Sequence, residues 1–346
     1  IAFAVQATDF WSNNLRYSIN PDAKSVTVTM RNDKTTTPFV DTDMRRIAGS
    51  TDSSRLKLIE KPLHPIAGNV VIPEKVDYEG KQYKVTIIGC DAFSGCGEIL
   101  SITMPQSVTV IDSSAFRWCS ALTSLIIPKS VTKIEYEALR GCKAMNQFVV
   151  EKGNDYYSAE DGVLFSKSKS VLIAYPREKA KSYTIPSGVT TIGDFAFAEC
   201  NDLISLTIPE SVTSIGTAAF LYTPKLDALT IPKSVRIISD RAFVWCGLTT
   251  LTIPESFTKI EDNAFFACYN LTSVTIPESV TSIGKNTFSL CEKLKEIHIR
   301  KATPPSMELT SFDSIAKDCI LYVPKGSKSA YMQAPRWTGF KNIQEE

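Results

Sequence analysis

The chain has 346 residues and a formal net charge of +1, because acidic and basic side chains almost cancel. No cluster of Lys and Arg could neutralise several phosphates together, so we predict no nucleic-acid partner. No apolar run approaches the roughly 18 to 20 residues that span a bilayer, so we also predict no membrane span. This length alone would suggest two or three domains, but an internal repeat replaces that expectation.

The first 84 residues precede the regular repeat and are interpreted in two parts. Residues 1–7, IAFAVQA, are similar to the end of a signal-peptide apolar region, with small residues before a cleavage point. We therefore expect an exported protein, at the cell surface or outside the cell. The same residues could instead form a first strand, and the two interpretations are compatible. Residues 8–84 predict a small β-rich N-terminal cap, because apolar runs flank a turn at Glu79 and Gly80.

A 23-residue repeat fills residues 85–153 and 189–303, and we call each copy a coil. Cysteines mark the period, since Cys96, Cys119 and Cys142 are 23 residues apart. Coils 1 to 3 and coils 4 to 8 begin, in chain order, at Val85, Val108, Val131, Val189, Val212, Val235, Phe257 and Val280. One coil cannot be stable alone, because about seven buried side chains at roughly 2 kcal/mol each oppose roughly 1.5 kcal/mol of ordering entropy per residue. The coils must therefore stack on a shared core.

Each coil has one large apolar position, and we call the series the phenylalanine column. Its members are Phe93, Phe116, Leu139, Phe197, Phe220, Phe243, Phe265 and Phe288. A small residue, usually Ala, precedes each member, so we expect the column to be buried in a tight turn. The AFxxC stretch around it predicts a helical turn that crosses back. The final segment of each coil, such as LISLTIP from Leu203, alternates apolar and polar residues and predicts a short strand.

Stacked coils of this kind predict a right-handed repeat solenoid, α/β to mostly β, with parallel strands about 4.8 Å apart and helical-turn crossovers. The pattern SVTxIGxxAFxxCxxLxxLxIP resembles the BspA-like leucine-rich repeat over roughly residues 85–303. Residues 154–188 resemble an inserted β-hairpin module of that family, and residues 304–346 resemble its C-terminal cap. The resemblance implies a leucine-rich-repeat superhelix from a surface or secreted protein of anaerobic, host-associated bacteria. It implies a role in adhesion to host proteins or other cells, and it carries over no catalytic residue.

Seven of the nine cysteines occupy one position per coil. This predicts buried thiols that behave as small apolar groups, with raised pKa values and low reactivity. Disulfides between adjacent coils and a metal ladder are the alternatives, although parallel Cβ vectors give poor disulfide geometry. Thr223 fills the same position in coil 5, so the position does not require sulfur. We predict no metal and no other cofactor.

Hydroxyl side chains line the outer face of the predicted strands. They are Ser101, Thr103, Ser124, Ser205, Thr207, Thr230, Thr250, Thr252, Ser273 and Thr275. Thr combines β propensity with solubility, which explains the series without any ligand. The alternative is a surface that faces a ligand, with Thr207, Thr230, Thr252 and Thr275 as candidate partner-binding residues. This face has no aromatic side chains in the repeats, which favours a protein partner over a sugar.

Aromatic side chains gather elsewhere in the repeat. Tyr222 and Trp245 precede the cysteine position in coils 5 and 6, and Phe266 and Tyr269 flank that position in coil 7. A contiguous exposed aromatic patch would be a candidate interface. The alternative is that these rings only cover the crossover turns.

The two histidines, His64 and His298, are expected at opposite ends of the array and cannot share a metal or a catalytic dyad. Glu296 and His298 point to the outer face of one strand, with Ser273 and Thr275 opposite them. A nucleophile, a base and an orienting group can be sketched from these four residues. An open strand face offers no oxyanion hole, so we predict a polar sheet end and no enzyme activity. Glu296 and His298 remain candidates for contact with a partner.

Taken together, the sequence predicts a non-catalytic surface or secreted protein that presents a repeat face to a protein partner. A host extracellular-matrix protein or another cell surface would be such a partner. A glycan-binding module is the alternative, suggested by the hydroxyl residues and by Tyr222 with Trp245. A hydrolase that uses His298 is a more remote alternative.

Overall fold

The computed structural model describes residues 9–12, 15–20, 24–29 and 66–346. The signal-peptide prediction for residues 1–7 lies outside these ranges, as do His64 and much of the predicted N-terminal cap. The chain divides into two units, Ile1–Cys142 and Lys143–Glu346. Each unit is described by itself.

The described residues of the first unit contain ten strands. They are β1 Asp9–Ser12, β2 Leu15–Ile19, β3 Ser25–Thr29, β4 Ala67–Val71, β5 Lys75–Tyr78, β6 Lys81–Ile88, β7 Glu98–Thr103, β8 Val110–Ile111, β9 Ser124–Ile127 and β10 Lys133–Ile134. Strands β1, β2 and β3 pair antiparallel, and β5 pairs antiparallel with β6. The pairs β3 with β6, β6 with β8, β8 with β10, and β4 with β7 are all parallel. Parallel stacking of the first coils therefore starts directly from the preceding strands.

The second unit contains seventeen strands, an α-helix and a 3-10 helix. The strands are β11 Gln147–Val150, β12 Tyr157–Glu160, β13 Val163–Ser166, β14 Val171–Ala174, β15 Ser182–Thr184, β16 Thr191–Ile192, β17 Ser205–Thr207, β18 Ser214–Ile215, β19 Ile237–Ile238, β20 Thr250–Thr252, β21 Lys259–Ile260, β22 Ser273–Ile276, β23 Ser282–Ile283, β24 Glu296–Ile299, β25 Ser306–Met307, β26 Ile320–Val323 and β27 Asn342–Glu345. The helices are α1 Lys328–Gln333 and the 3-10 helix Trp337–Gly339.

Most coils of the second unit contribute two strands, a long one and a short one. The long strands β20, β22, β24, β26 and β27 form one parallel sheet. The short strands pair in parallel as β14-β16-β18-β19 and as β21-β23-β25. The prediction of stacked parallel strands is confirmed. The short strand, which comes from the Val-Thr-x-Ile stretch of each coil, was not predicted.

The phenylalanine column forms the core that the repeat predicts. From Phe197 to Phe288 its members are fully buried, and the column continues to Phe312. Neighbouring rings are 4.9 to 5.5 Å apart between centroids and within 12° of parallel. In the first unit Phe93 and Phe116 stack in the same way, at 5.6 Å, whereas Leu139 is only half-buried. Each coil except coil 3 thus adds one aromatic layer to the interior.

The crossover stretch is not helical, and the prediction of a helical turn there is wrong. In coil 4, alternate N–H groups donate to carbonyl oxygens of the next coil: Phe195 to Thr217, Phe197 to Ala219 and Glu199 to Leu221. The N–H groups between them reach back three residues, as Ala198 does to Phe195. An α-helix would use every N–H for a bond four residues back. The crossover is therefore a third ladder between coils, which we call the turn ladder.

The turn ladder requires left-handed backbone two residues before and two residues after each phenylalanine. In coil 4 these residues are Phe195 and Glu199, with φ of 55° and 59°. In coils 5 and 6 the second of these positions holds Tyr222 and Trp245, with φ of 57° and 56°. Left-handed backbone costs a non-glycine residue roughly 1 to 2 kcal/mol. The inter-coil hydrogen bond that each of these N–H groups donates offsets that cost.

Residues 157–186 consist of an antiparallel part followed by strands that pair in parallel with coil 4. Strands β12, β13 and β14 pair antiparallel in chain order. Strand β14 then pairs in parallel with β16, and β15 pairs in parallel with β17. Tyr175 lies 5.0 Å from Phe197 between ring centroids and so takes the place of a phenylalanine. Part of the predicted inserted module therefore stacks as a coil, although it lacks the repeat pattern.

The C-terminal segment covers the end of the phenylalanine column. Phe312 contacts Trp337 and Phe340, at centroid distances of 6.1 and 5.5 Å. Trp337 is buried and its Nε1 donates to the carbonyl of Pro305 at 2.9 Å. Aromatic side chains with satisfied polar groups thus close the core at this end.

Candidate functional site

Two surfaces of the second unit carry the residues that the sequence singled out. The strand face consists of the outward side chains of β20, β22, β24, β26 and β27. The aromatic cluster consists of Tyr222, Trp245 and Tyr269. The strand face lies on the long-strand side of the coils, and the cluster lies beside the turn ladder.

The strand face is built from side chains in register. One row runs Thr252, Thr275, His298, Tyr322 and Gln344 on consecutive strands. Thr252 is exposed, and Thr275 and His298 are half-buried. Paired positions on adjacent strands lie close enough for their side chains to touch. The face therefore changes from hydroxyl groups to an aromatic and charged end within three strands.

The predicted row of four threonines is not continuous, because one of them lies outside the strands. Thr207 belongs to β17 and is exposed. Thr230 is also exposed, but it is in no strand, and coil 5 contributes only an isolated bridge between Ser205 and Ala228. The row of four threonines is thus interrupted at coil 5.

His298 lies in a network of charged and aromatic groups. Its ring stacks on Tyr322 at 4.6 Å between centroids and 5° from parallel. Its Nδ1 lies 3.1 and 3.2 Å from the two carboxylate oxygens of Glu346, and its Nε2 lies 3.6 Å from Glu296. The Nη1 of Arg300 donates to Glu346 at 2.7 Å. Both imidazole nitrogens therefore face carboxylates.

This geometry does not match the arrangement sketched from Ser273, Thr275 and His298. A general base must direct a ring nitrogen at the hydroxyl that it activates. Here one nitrogen faces Glu346 and the other faces Glu296. Neither ring nitrogen of His298 therefore faces the hydroxyl of Ser273 or Thr275.

Sequence reasoning missed Tyr322 and Glu346, which complete this network. Tyr322 belongs to β26 and Glu346 follows β27, and neither strand carries the repeat pattern. The available signal was the ILYVP stretch from Ile320, whose alternation is that of a further long strand.

The aromatic cluster is present on the surface, without one of its four predicted members. The rings of Tyr222 and Trp245 meet edge to face, at 5.6 Å between centroids and 75° between planes. The Nε1 of Trp245 donates to the hydroxyl oxygen of Tyr269 at 3.2 Å. Tyr222 and Tyr269 are each 39% exposed, and Trp245 is half-buried. These three residues form one connected surface.

Phe266 is not part of that surface, because it is 4% exposed. The residue after each phenylalanine forms a second buried column in this unit: Ala198, Leu221, Val244 and Phe266. The prediction that Phe266 contacts a partner is therefore wrong. Its size serves the interior, where the turn ladder places it.

The cysteine position is structural. Cys268 donates from Sγ to the carbonyl of Phe243 at 3.2 Å, and Cys291 does the same to Phe265 at 3.4 Å. Burial raises the pKa of Cys200 to about 12 and that of Cys246 to about 11. Thr223, which replaces a cysteine, donates from its hydroxyl to the carbonyl of Phe220 at 2.9 Å. The predicted burial is confirmed at these positions, and the predicted rise in pKa is confirmed at Cys200 and Cys246. The thiols of Cys268 and Cys291 bond to the preceding coil, whereas the Thr223 hydroxyl bonds within its own coil.

All nine cysteines are free thiols, with Cys90 exposed and Cys319 buried. Within the part of the chain that the structure describes, no group of three or more His, Cys, Asp and Glu side chains could hold a metal ion. Across the same residues, no helix is both long and apolar enough to cross a membrane.

The Ser and Thr of the repeated Ser-Val-Thr are also structural. Ser211 donates from Oγ to the carbonyl of Val189 at 2.7 Å, and Ser234 does the same to Val212. Thr213 donates to the carbonyl of Thr190 at 3.3 Å. These hydroxyl groups join each coil to the one before it, which separates them from the outward hydroxyls of the strand face.

Comparison with known families shows to which family the chain belongs. The model of the BspA type leucine rich repeat region matches in six copies, over residues 80–171, 173–238 and 213–315, which together make more than half of the chain. The chain belongs to the BspA-type leucine-rich-repeat family. No curated protein sequence matches this BspA-type protein.

Solved structures share the fold of this BspA-type protein. The pneumococcal vaccine antigen PcpA is 21% identical, with a TM-score of 0.63 and coverage of 98% of this chain and 99% of that chain. A leucine-rich repeat protein from Eubacterium ventriosum ATCC 27560 is 22% identical, with a TM-score of 0.57 and coverage of 88% and 93%. A leucine rich cell surface protein from Faecalibacterium prausnitzii A2-165 is 22% identical, with a TM-score of 0.51 and coverage of 85% and 95%. At these identities the comparison establishes the fold alone.

Proposed function

We propose that this BspA-type repeat protein is an exported, non-catalytic binding protein whose strand face contacts a protein partner. The observation that carries the proposal is the ordered network of His298, Tyr322, Arg300 and Glu346 at the end of that face. A role in adhesion at the cell surface agrees with the family. It also agrees with the description of the Faecalibacterium prausnitzii structure as a cell surface protein.

The strand face can be contacted only through its side chains, because parallel pairing uses the backbone groups of β22, β24 and β26 on both sides. Five strands about 4.8 Å apart extend this face over about 20 Å. Two outward rows cross it, one through Thr275 and His298 and one through Ser273 and Glu296. A segment of a partner can therefore lie across several strands at once.

The His298 network has the composition of an interface centre. Tyr and Arg are enriched among the residues that dominate binding energy in protein interfaces. The stack of His298 on Tyr322 and the Arg300 to Glu346 hydrogen bond already hold these side chains in place. Side chains that are ordered before binding lose less conformational entropy on association. The side chains at this end of the strand face are thus already ordered for binding a partner.

The experiment immobilises the full chain and measures retention of purified host extracellular-matrix proteins. The retained protein is then titrated against wild type and against Tyr322→Ala. We expect Tyr322→Ala to weaken the dissociation constant at least tenfold. The matched control is Thr230→Ala, an exposed residue outside the strands, which should stay within twofold of wild type. Retention of no protein by folded wild type, or unchanged affinity of Tyr322→Ala, would contradict the proposal.

A further inference from the structure

The aromatic cluster is a second surface, separate from the strand face, and its geometry is fixed before any ligand arrives. Tyr222 and Trp245 are held by the turn ladder, where their N–H groups donate to Val244 and Phe266 at 2.8 and 3.0 Å. The Trp245 indole is fixed further by its hydrogen bond to Tyr269. The three rings therefore form a rigid surface, and little side-chain conformational entropy would be lost when a ligand binds.

Coil 6 leaves room for this arrangement because it is one residue short. Cys246 is followed by Gly247 and Leu248, whereas Cys268 is followed by Tyr269, Asn270 and Leu271. A Cβ on Gly247 would lie 2.2 Å from the carbonyl oxygen of Pro224, so this position cannot carry a side chain. Tyr269 of coil 7 contacts Trp245 of coil 6, and coil 6 has no side chain at the position that matches Tyr269.

The polar groups beside the cluster are paired with one another. Lys225 contacts the carboxylate of Asp202 at 2.5 Å, and Lys293 donates to the amide oxygen of Asn270 at 2.9 Å. These residues occupy the same loop position of coils 4, 5, 7 and 8, so they flank the cluster along the stack. The surroundings combine planar amide and carboxylate groups with compensated charge. A neutral ligand with many hydroxyl groups matches this pattern better than an ion.

The exposed area of the aromatic cluster fits a small ligand better than a folded protein. An aromatic side chain buries 150 to 250 Å² when covered, so three rings exposed by 39% or less present about 250 Å². A standard protein interface needs about 800 Å² from each partner. An area of about 250 Å² matches one or two sugar rings.

We propose that the aromatic cluster binds a neutral oligosaccharide. The C–H face of a pyranose ring stacks on Trp245, because the face of an aromatic ring is electron-rich and attracts weakly positive hydrogens. Tyr222, whose plane lies 75° from that of Trp245, contacts the side of the same sugar. The sugar hydroxyls bond to the Tyr269 hydroxyl and to the amide of Asn270. A few directed polar groups beside an apolar surface give such a site its specificity. This site does not depend on the strand face or on its protein partner.

The test screens the full chain against an array of neutral oligosaccharides. Calorimetry in solution then measures the best binder with wild type and four variants. We expect Trp245→Ala to weaken the dissociation constant at least tenfold and Trp245→Phe to retain most of the affinity. The matched control is Trp118→Ala, since Trp118 occupies the same position in coil 2 without an aromatic neighbour in that column. It should stay within twofold of wild type.

Thermal unfolding of each variant shows that it is folded before its affinity is compared. The proposal is overturned if folded wild type binds no neutral oligosaccharide. It is also overturned if Trp118→Ala weakens binding as much as Trp245→Ala does. Tyr322→Ala should leave sugar binding unchanged, so failure of this site and failure of the strand-face proposal are distinguishable.

Discussion

The two sides of the coils in the second unit differ in how regular they are. On the side of the turn ladder, aromatic layers and inter-coil hydrogen bonds continue without a break from Phe197 to Phe288. On the strand side, the long-strand sheet is interrupted between β17 and β20, and the short-strand sheet between β19 and β21. The phenylalanine side therefore keeps the coils stacked in register, whereas the strand side tolerates gaps in its sheets.

The interruptions lie beside the one coil that departs from the common length. Coil 6 spans 22 residues, 235–256, and the missing residue comes from the loop after Cys246. The backbone there is drawn against coil 5, where the N–H of Gly247 donates to the carbonyl of Thr223 at 3.0 Å. The turn ladder absorbs none of this change, because its donors and acceptors lie before the deletion.

The largest expected effect comes from breaking the regular side. Phe197 is fully buried between Tyr175 and Phe220. Phe197→Ala should lower the free energy of unfolding by about 3 to 5 kcal/mol, because neighbouring layers cannot shift to fill the cavity. Urea unfolding measures this loss. A loss below about 1 kcal/mol would show that the column does not dominate stability.

A smaller effect is expected where coil 6 is compressed. Gly247→Ala should destabilise by about 1 to 3 kcal/mol, since its Cβ would meet the Pro224 carbonyl oxygen at 2.2 Å. The matched control is Gly188→Ala, where no atom lies within 4 Å of the new Cβ and the backbone is not left-handed. Equal unfolding midpoints for the two variants would mean that the short coil is not tightly packed.

The smallest expected effect comes from removing single hydroxyl groups. One variant removes a hydroxyl that bonds between coils, and the other removes a hydroxyl on the exposed strand side. Ser211→Ala removes a 2.7 Å hydrogen bond to the preceding coil and should cost about 0.5 to 1.5 kcal/mol. Thr207→Ala, on the exposed strand side, should stay within about 0.5 kcal/mol of wild type. Chemical denaturation of both variants resolves the difference. A larger loss for Thr207→Ala would reverse the assignment of the two hydroxyl series.

The repeat pattern was enough to predict the buried phenylalanine column, the long strands and the buried cysteines, because all three depend on residue types at fixed spacing. The turn ladder could not be predicted in the same way. Whether Phe197 donates four residues back or to Ala219 depends on the distance between coils, which no single coil encodes. From the residue pattern alone, the AFxxC stretch therefore predicts a helical turn.

The candidate sites were predicted only in part, for similar reasons. Trp245 and Tyr222 were identified because they share one column, but Phe266 could not be separated from them without knowing the second buried column. His298 was identified from its strand, whereas Glu346 reaches it through the register of β26 and β27. That register is set by the C-terminal segment, where the repeat no longer guides pairing.

The left-handed position before each cysteine has a consequence for how such proteins diversify. Gly95, Trp118, Gly141, Glu199, Tyr222, Trp245, Ala267 and Leu290 all occupy it with φ between 56° and 84°. Apart from Gly141, each of these residues donates its N–H to the next turn of the stack whatever its side chain is. The position therefore accepts very different residues with the same fold. Single-residue exchange in this column can therefore give a descendant a new specificity while leaving its assembly intact.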